Sequence, residues 1–78
     1  MDEEEVSIQL EPILGSSHIA ATGYVEEKQI MIVEYLNGAQ YRWEGIPAAA
    51  YEAMRGADSV GSALNQITKV YGKGMRIG

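Results

Sequence analysis

The chain has 78 residues, of which 46% are hydrophobic, no cysteine and a formal net charge of −5. This length predicts one globular domain that buries roughly 60–65% of the surface of its unfolded state. The lack of cysteine excludes disulfides, cysteine-based zinc sites and thiol catalysis. No apolar run is long enough to cross a membrane, and Asp2 to Glu5 have the wrong charge for a signal or transit peptide. We therefore expect a cytoplasmic protein with no membrane contact.

Residues 1–15 are predicted to be an acidic tail followed by an extra strand. The run Asp2 to Glu5 indicates a solvated tail, and the alternation over residues 6–10 (Val-Ser-Ile-Gln-Leu) predicts a strand. Glu11-Pro12 should end this strand, because proline has no N–H to donate to a neighbouring strand. A second strand is predicted from about His18 to Val25, in which Gly23 indicates a bulge or a close backbone approach.

Asn37-Gly38, between two runs rich in β-forming residues, predicts a hairpin with strands at about 30–36 and 39–44. With a two-residue loop, Trp43 would share a face with Ile32 and Glu34. With a three-residue loop, residues 36–38, one apolar face forms instead, because a register shift of one residue reverses the faces of a strand. That face consists of Met31, Val33, Tyr41 and Trp43. We favour the longer loop, in which only Gly38 has a positive φ.

Two short helices should follow the hairpin. Pro47 belongs in the first turn of the first helix, where its missing N–H costs nothing. Good helix formers follow over residues 48–55, and the helix ends at Gly56. Asp58 or Ser59 caps the second, whose apolar stripe consists of Val60, Leu64 and Ile67. Gly72 and Gly74 end this helix, and residues 75–77 either pair at a sheet edge or remain loose.

Strands followed by helices predict an α+β fold. We expect an antiparallel sheet of three to four strands, then two short helices packed on one face. The helix stripes should cover the apolar face of the hairpin. Ile30 and Ile32 lie on the opposite face and need cover from the N-terminal strand, a second subunit or a ligand.

Catalytic and metal-binding patterns are weak in this sequence. His18 follows Ser16-Ser17, and Asp58 would complete a Ser-His-Asp group, but the G-x-S-x-G turn that positions such a nucleophile is missing. No cluster of His, Asp and Glu has the spacing of metal ligands. We expect no catalytic residue, no metal, no cofactor and no enzymatic activity.

Tyr41-Arg42-Trp43 allows two interpretations. The two aromatic rings share one sheet face and could stack on bases, as in proteins that bind single-stranded nucleic acid. Alternatively, the rings belong to the core, because a small domain without phenylalanine needs its aromatics for burial. We favour the core for both rings. Arg42 then points to the opposite face.

The start of the second helix is a candidate anion site. Its sequence, Asp58-Ser59-Val60-Gly61-Ser62, has small residues that leave backbone N–H groups accessible at the positive end of the helix dipole. Ser16 and Ser17 could converge on it. The alternative is ordinary capping with close helix packing at Gly61. Basic residues are concentrated later: residues 42–78 carry five bases and three acids, whereas residues 1–41 carry one base and eight acids.

A set of short motifs spread over most of the chain forms a recognisable pattern: Ser16-Ser17-x-Ile19, Gly23-Tyr24, Asn37-Gly38, Tyr41-x-Trp43, Ile46-Pro47, Tyr51, Ala57-x-Ser59-x-Gly61, Leu64-Asn65, Ile67 and Tyr71. Through these positions the sequence resembles the KTSC domain family over about residues 16–71, with 72–78 left as a C-terminal tail. The family takes its name from the C-terminal extension of some lysyl-tRNA synthetases, and it includes small stand-alone bacterial and phage proteins. Trp43 replaces a family tyrosine, and Leu64 replaces the usual aromatic residue. The resemblance implies the fold and suggests contact with RNA, without catalytic residues.

The leading hypothesis is a small non-enzymatic binding module that contacts RNA or a nucleotide. The alternatives are a phage or mobile-element factor that binds and inhibits a host protein, and a protein that sequesters a small nucleotide. A homo-oligomer is also compatible with the sequence. The candidate binding residues are Ser16, Ser17, His18, Arg42, Ser59, Gly61, Asn65, Lys69, Lys73 and Arg76.

Overall fold

The computed structural model of the chain describes residues 9–78, which form a five-stranded antiparallel sheet with two helices on one face. The elements in chain order are β1 (Glu11–Pro12), β2 (Ile19–Val25), β3 (Ile30–Tyr35), β4 (Gln40–Glu44), α1 (Ala48–Arg55), α2 (Val60–Tyr71) and β5 (Met75–Arg76). Each strand lies beside its neighbour in the chain, and both helices belong to the connection from β4 to β5. The predicted α+β class is confirmed, although the predicted three to four strands fall short of the five observed.

The central hairpin has the longer loop. Met31 lies opposite Trp43 and Val33 opposite Tyr41, which is the register of a loop over residues 36–38. Gly38 has a φ of +91°. The side-chain oxygen of Asn37 accepts a hydrogen bond from the Ala39 N–H at 3.0 Å, which fixes the turn. The preferred register is therefore confirmed.

The core lies between this hairpin face and the helices, as predicted. Met31, Val33 and Trp43 of the sheet pack with residues from β2, the β4–α1 connection and both helices. Trp43 is 5% exposed, and its indole N–H donates to the Gly72 carbonyl at 2.9 Å. The residues that complete this cluster are Ile19, Ile46, Met54, Leu64 and Ile67.

The opposite face of the sheet is only partly open to water. Ile32 is 6% exposed and lies between Gly23 of β2 and Arg42 of β4. Arg42 forms an ion pair of 2.8 Å with Glu44. Ile30 is half-buried. The sequence thus correctly placed a buried isoleucine on the face that the helices do not cover.

The strand predicted over residues 6–10 is described only at its last two residues. Residues 6–8 lie outside the described residues, and Gln9 and Leu10 are not in a strand. Instead, Glu11 pairs with Thr22 and Pro12 with Ala21. Pro12 is tolerated there because β1 is an edge strand, where a missing N–H breaks no ladder. Gly23 pairs regularly with Ile32, so no bulge lies at this residue, and the irregularity of β2 lies between Ile19 and Ala21.

Residues 72–78 contribute to the sheet, although the sequence indicated a tail. Arg76 pairs with Tyr41 and Met75 with Arg42, so the edge pairing that the sequence left open is formed. Gly74 lies directly on the Trp43 indole, where a Cβ would be 2.7 Å from a ring carbon. Close approach of the backbone to this ring allows β5 to reach β4.

Both helices lie where the sequence predicts them, although Pro47 is the N-cap of α1 and not part of its first turn. Ser59 caps α2 by accepting from the Ser62 N–H at 3.2 Å, and Gly72 ends it with a φ of +94°. Gly56 follows α1 with a φ of −88°, so this helix ends without a left-handed residue. Neither helix in residues 9–78 has the length and apolar character to cross a bilayer.

Candidate functional site

An open cleft of about 790 Å³ lies where the segment before β2 meets the start of α2. Residues 12–18 form one wall, and residues 57–62 form the other, with Arg55 of α1 between them. The structure therefore brings Ser16 and Ser17 to the α2 start, an arrangement that the sequence allowed, and His18 lies there with them. Ser59 and Gly61 complete the set of candidate residues that line this cleft.

The wall before β2 is a turn that Ser16 orders. Its Oγ accepts hydrogen bonds from the N–H groups of Ile19, at 2.9 Å, and His18, at 3.2 Å. Ser17 Oγ lies 3.0 Å from His18 Nδ1, and both of these side chains are exposed. The Ser16 hydroxyl is thus engaged in the turn, whereas Ser17 and His18 present polar atoms to solvent.

The opposite wall is the first turn of α2. Ser59 caps the helix, and its hydroxyl also donates to Ser62 Oγ at 3.2 Å. The first turn contains no acidic residue, so nothing within it neutralises the positive end of the helix dipole. A Cβ built on Gly61 meets no atom within 4 Å. Capping at Ser59 is confirmed, but the suggested close packing at Gly61 is wrong.

Arg55 is a cleft residue that the sequence analysis missed. Its Nη1 donates to Thr22 Oγ1 at 3.0 Å, and its Nη2 lies 3.4 Å from Glu11 Oε1. Thr22 is completely buried, and its hydroxyl oxygen also lies 3.0 Å from the Tyr51 hydroxyl. In the sequence Arg55 resembles any basic residue in the last turn of a helix, so nothing distinguished it from a capping cation.

The cleft contains one acidic side chain, that of Asp58. The His18 ring lies within hydrogen-bond distance of Ser17 Oγ, and its backbone contacts Ser16 and Leu36. No hydrogen bond described within residues 9–78 joins His18 to Asp58. The Ser-His-Asp arrangement that the sequence allowed is thus not assembled. In the same part of the chain, no group of three His, Asp or Glu side chains is placed to hold a metal ion.

Asn65 belongs to a smaller adjacent hollow of about 240 Å³. His18 and Gly61 line both the cleft and this hollow, so Asn65 is adjacent to the cleft but does not line it. Tyr35 also lines the hollow, and burial raises the pKa of its hydroxyl above 10.0, with a further contribution from Tyr41. This phenol remains neutral at physiological pH.

The basic candidates lie elsewhere. Lys69 follows Val60 by nine residues in α2, about 13 Å along the helix axis at 1.5 Å per residue. Lys73 and Arg76 follow the end of that helix, and Arg42 points to the opposite face of the sheet. None of the four lines the cleft. The candidate residues therefore form a cleft set and a separate basic set.

Burial also decides the role of the aromatic pair. Trp43 is a core residue, and Tyr41 is half-buried, packing against the core and edge-on to Tyr35 with ring centres 5.5 Å apart. The core assignment of Trp43 is confirmed. These rings do not form an open platform for bases.

An antiparallel sheet of five strands, two helices on one face and a polar cleft at a helix start together define a small α+β domain. The family model of the KTSC domain matches residues 15–71 of the sequence. A crystal structure of a KTSC domain protein from Yersinia pestis superimposes with a TM-score of 0.75 at 27% identity, covering 92% of this chain and 100% of that one. An uncharacterised protein of Stutzerimonas stutzeri (strain A1501) is 43% identical over 56 residues, 72% of this chain and 79% of its own length. The chain belongs to the KTSC domain family.

Proposed function

We propose that this chain is a non-enzymatic binding module that holds a phosphate-bearing ligand of nucleotide size in the cleft at the α2 start. The observation that carries the proposal is the convergence of three kinds of anion-binding group on one cavity. These are the N–H groups of a helix start, the exposed hydroxyl of Ser17 beside His18, and the Arg55 guanidinium. The volume of about 790 Å³ falls within the usual range of small-molecule sites.

Charge favours a small ligand over a long polyanion. The net charge of −5 opposes general attraction to nucleic acid. The basic residues that would contact a phosphate backbone, Lys69, Lys73 and Arg76, lie away from the cleft. A nucleotide needs only the cleft, whereas an RNA strand would depend on basic residues outside it.

RNA contact through the basic set is the second candidate. It is supported by the grouping of Lys69, Lys73 and Arg76 near the chain end, which carries no acid after residue 61. Counterion release would make this binding fall steeply as salt rises, because each neutralised phosphate frees a condensed cation.

Inhibition of a host protein is the third candidate. An apolar hollow of about 280 Å³ lies between α1 and α2, and Val70 at its edge is 72% exposed. Exposed apolar surface of this kind is typical of protein contacts. A single stoichiometric protein that co-purifies with the untagged chain would support this reading over the other two.

The test compares the two anion surfaces by matched arginine substitutions. Binding of ADP and of a short single-stranded RNA is measured by calorimetry for the wild type, R55Q and R76Q, at low and high salt. We expect R55Q to weaken ADP binding at least tenfold, as loss of a charge-assisted hydrogen bond predicts, and R76Q to leave it unchanged. Intrinsic fluorescence of Trp43 verifies that both variants fold.

The opposite result for the two variants would indicate that the ligand binds at the basic set. If only RNA binds, with an affinity that R76Q weakens and R55Q does not, the cleft proposal is wrong and RNA contact is supported. Mass spectrometry of the purified chain under native and denaturing conditions would further reveal a nucleotide that remains bound through purification.

A further inference from the structure

We propose that Glu11 competes internally for Arg55, so that a phosphate-bearing ligand entering the cleft displaces the Glu11 carboxylate and loosens β1. This inference rests on the proposed function of the cleft and concerns how ligand entry is regulated.

Arg55 is anchored at one nitrogen and exchangeable at the other. Nη1 donates to Thr22 Oγ1, a completely buried acceptor in the middle of β2, so this end of the guanidinium is fixed. Nη2 faces Glu11 at 3.4 Å, longer than the 2.7–2.9 Å typical of a close charge-assisted hydrogen bond. The side chain as a whole is 29% exposed and lines the cleft.

Glu11 is a weak partner for Arg55. Its side chain is 68% exposed, so water screens the ion pair and competes for the carboxylate. Glu11 does not line the cleft, although Pro12 and Ile13 beside it do. The carboxylate therefore draws Nη2 towards β1, and a phosphate oxygen in the cleft would draw it the other way.

Few interactions hold β1 among residues 9–78. It is a two-residue edge strand whose residues are both exposed, and Pro12 supplies no N–H. The next backbone contact is the Ile13 N–H, which donates to the Ala20 carbonyl at 2.9 Å. Segments with so few buried contacts open at low free-energy cost. Loss of the Glu11–Arg55 contact should thus increase local opening of β1.

The experiment measures ADP affinity and β1 opening together. Affinity is obtained from amide chemical shifts of the full chain in the wild type, E11Q and E27Q. E27Q is the matched control because Glu27 lies in the exposed turn between β2 and β3. Opening is measured by hydrogen exchange of the Ile13 amide with and without saturating ADP. We expect E11Q to bind ADP about two- to fivefold tighter than the wild type, the range that an exposed ion pair contributes.

Three outcomes are distinguishable. Tighter binding by E11Q, unchanged binding by E27Q and faster Ile13 exchange in ADP-saturated wild type support the competition. The competition is wrong if the wild type binds ADP but E11Q binds it no more tightly. It is also wrong if ADP leaves Ile13 exchange in the wild type unchanged or slows it. In both cases the cleft proposal survives. If none of the three proteins binds ADP, the proposed function fails and the competition fails with it.

Discussion

Gly74→Ala tests how β5 is held against the core. A Cβ at this position would lie 2.7, 2.8 and 2.9 Å from three carbons of the Trp43 ring. Carbon atoms in favourable contact are about 3.5–4.0 Å apart, so ring and backbone would have to separate by nearly 1 Å. Trp43 is 5% exposed and cannot move away without disturbing its neighbours in the core. Overpacking of this kind costs about 1–3 kcal/mol.

The assay is urea and thermal unfolding followed by the fluorescence of Trp43, the only tryptophan. For a domain of this size, about 1–3 kcal/mol corresponds to a fall in Tm of roughly 5–20 °C. Gly74 does not have a positive φ, so the backbone conformation allows alanine. Any loss of stability in this variant therefore reflects the contact between the new Cβ and the Trp43 ring.

Gly61→Ala is the matched control for this substitution. A Cβ at Gly61 meets no atom within 4 Å, and alanine is the better helix former, so this variant should gain up to about 1 kcal/mol. If G74A unfolds at the same urea concentration as the wild type or G61A, the proposed packing of Gly74 on Trp43 is refuted.

Three further predictions concern local stability. Ser59→Ala should destabilise the fold by about 1 kcal/mol because it removes the cap of α2, whereas Ser17→Ala should have little effect; equal midpoints in urea would contradict this. Gly38→Ala should cost about 1–2 kcal/mol because of the φ of +91°, and an unchanged midpoint would argue against a left-handed Gly38. Burial raises the pKa of Tyr35 above 10.0, so the unfolded chain ionises first and stability should fall as pH rises above 10. Tyr35→Phe should reduce that slope between pH 9 and 11, and an unchanged slope would show that Tyr35 is not responsible.

The hairpin was predictable because two independent signals agreed. Alternation placed Met31, Val33, Tyr41 and Trp43 on one face, and Gly38 supplied the left-handed residue that the longer loop requires. Local sequence is sufficient where one face is buried, because the wrong register would expose every apolar side chain of that strand.

The sheet edges were harder because their pairing depends on contacts distant in sequence. Glu11–Pro12 and Met75–Arg76 are two-residue strands with no periodicity to detect. β5 is positioned by the approach of Gly74 and Gly72 to Trp43, about thirty residues earlier, which no local pattern encodes.

The candidate site was partly predictable. The serines before β2 and the helix start were each visible as motifs, and the fold brings them to one cleft. Arg55 was missed because its role depends on Thr22 and Glu11, which approach it only through β1 and β2. The basic residues were grouped with the cleft on charge alone, and in the fold none of them lines it.

An amide chemical-shift titration with ADP tests the central claim most directly. Binding in the cleft predicts the largest changes at residues 16–18, at Arg55 and at residues 60–62, with little change at Lys69, Lys73 and Arg76. Changes concentrated at those three basic residues, or none at millimolar ADP, would contradict the claim that the α2 cleft is the binding site.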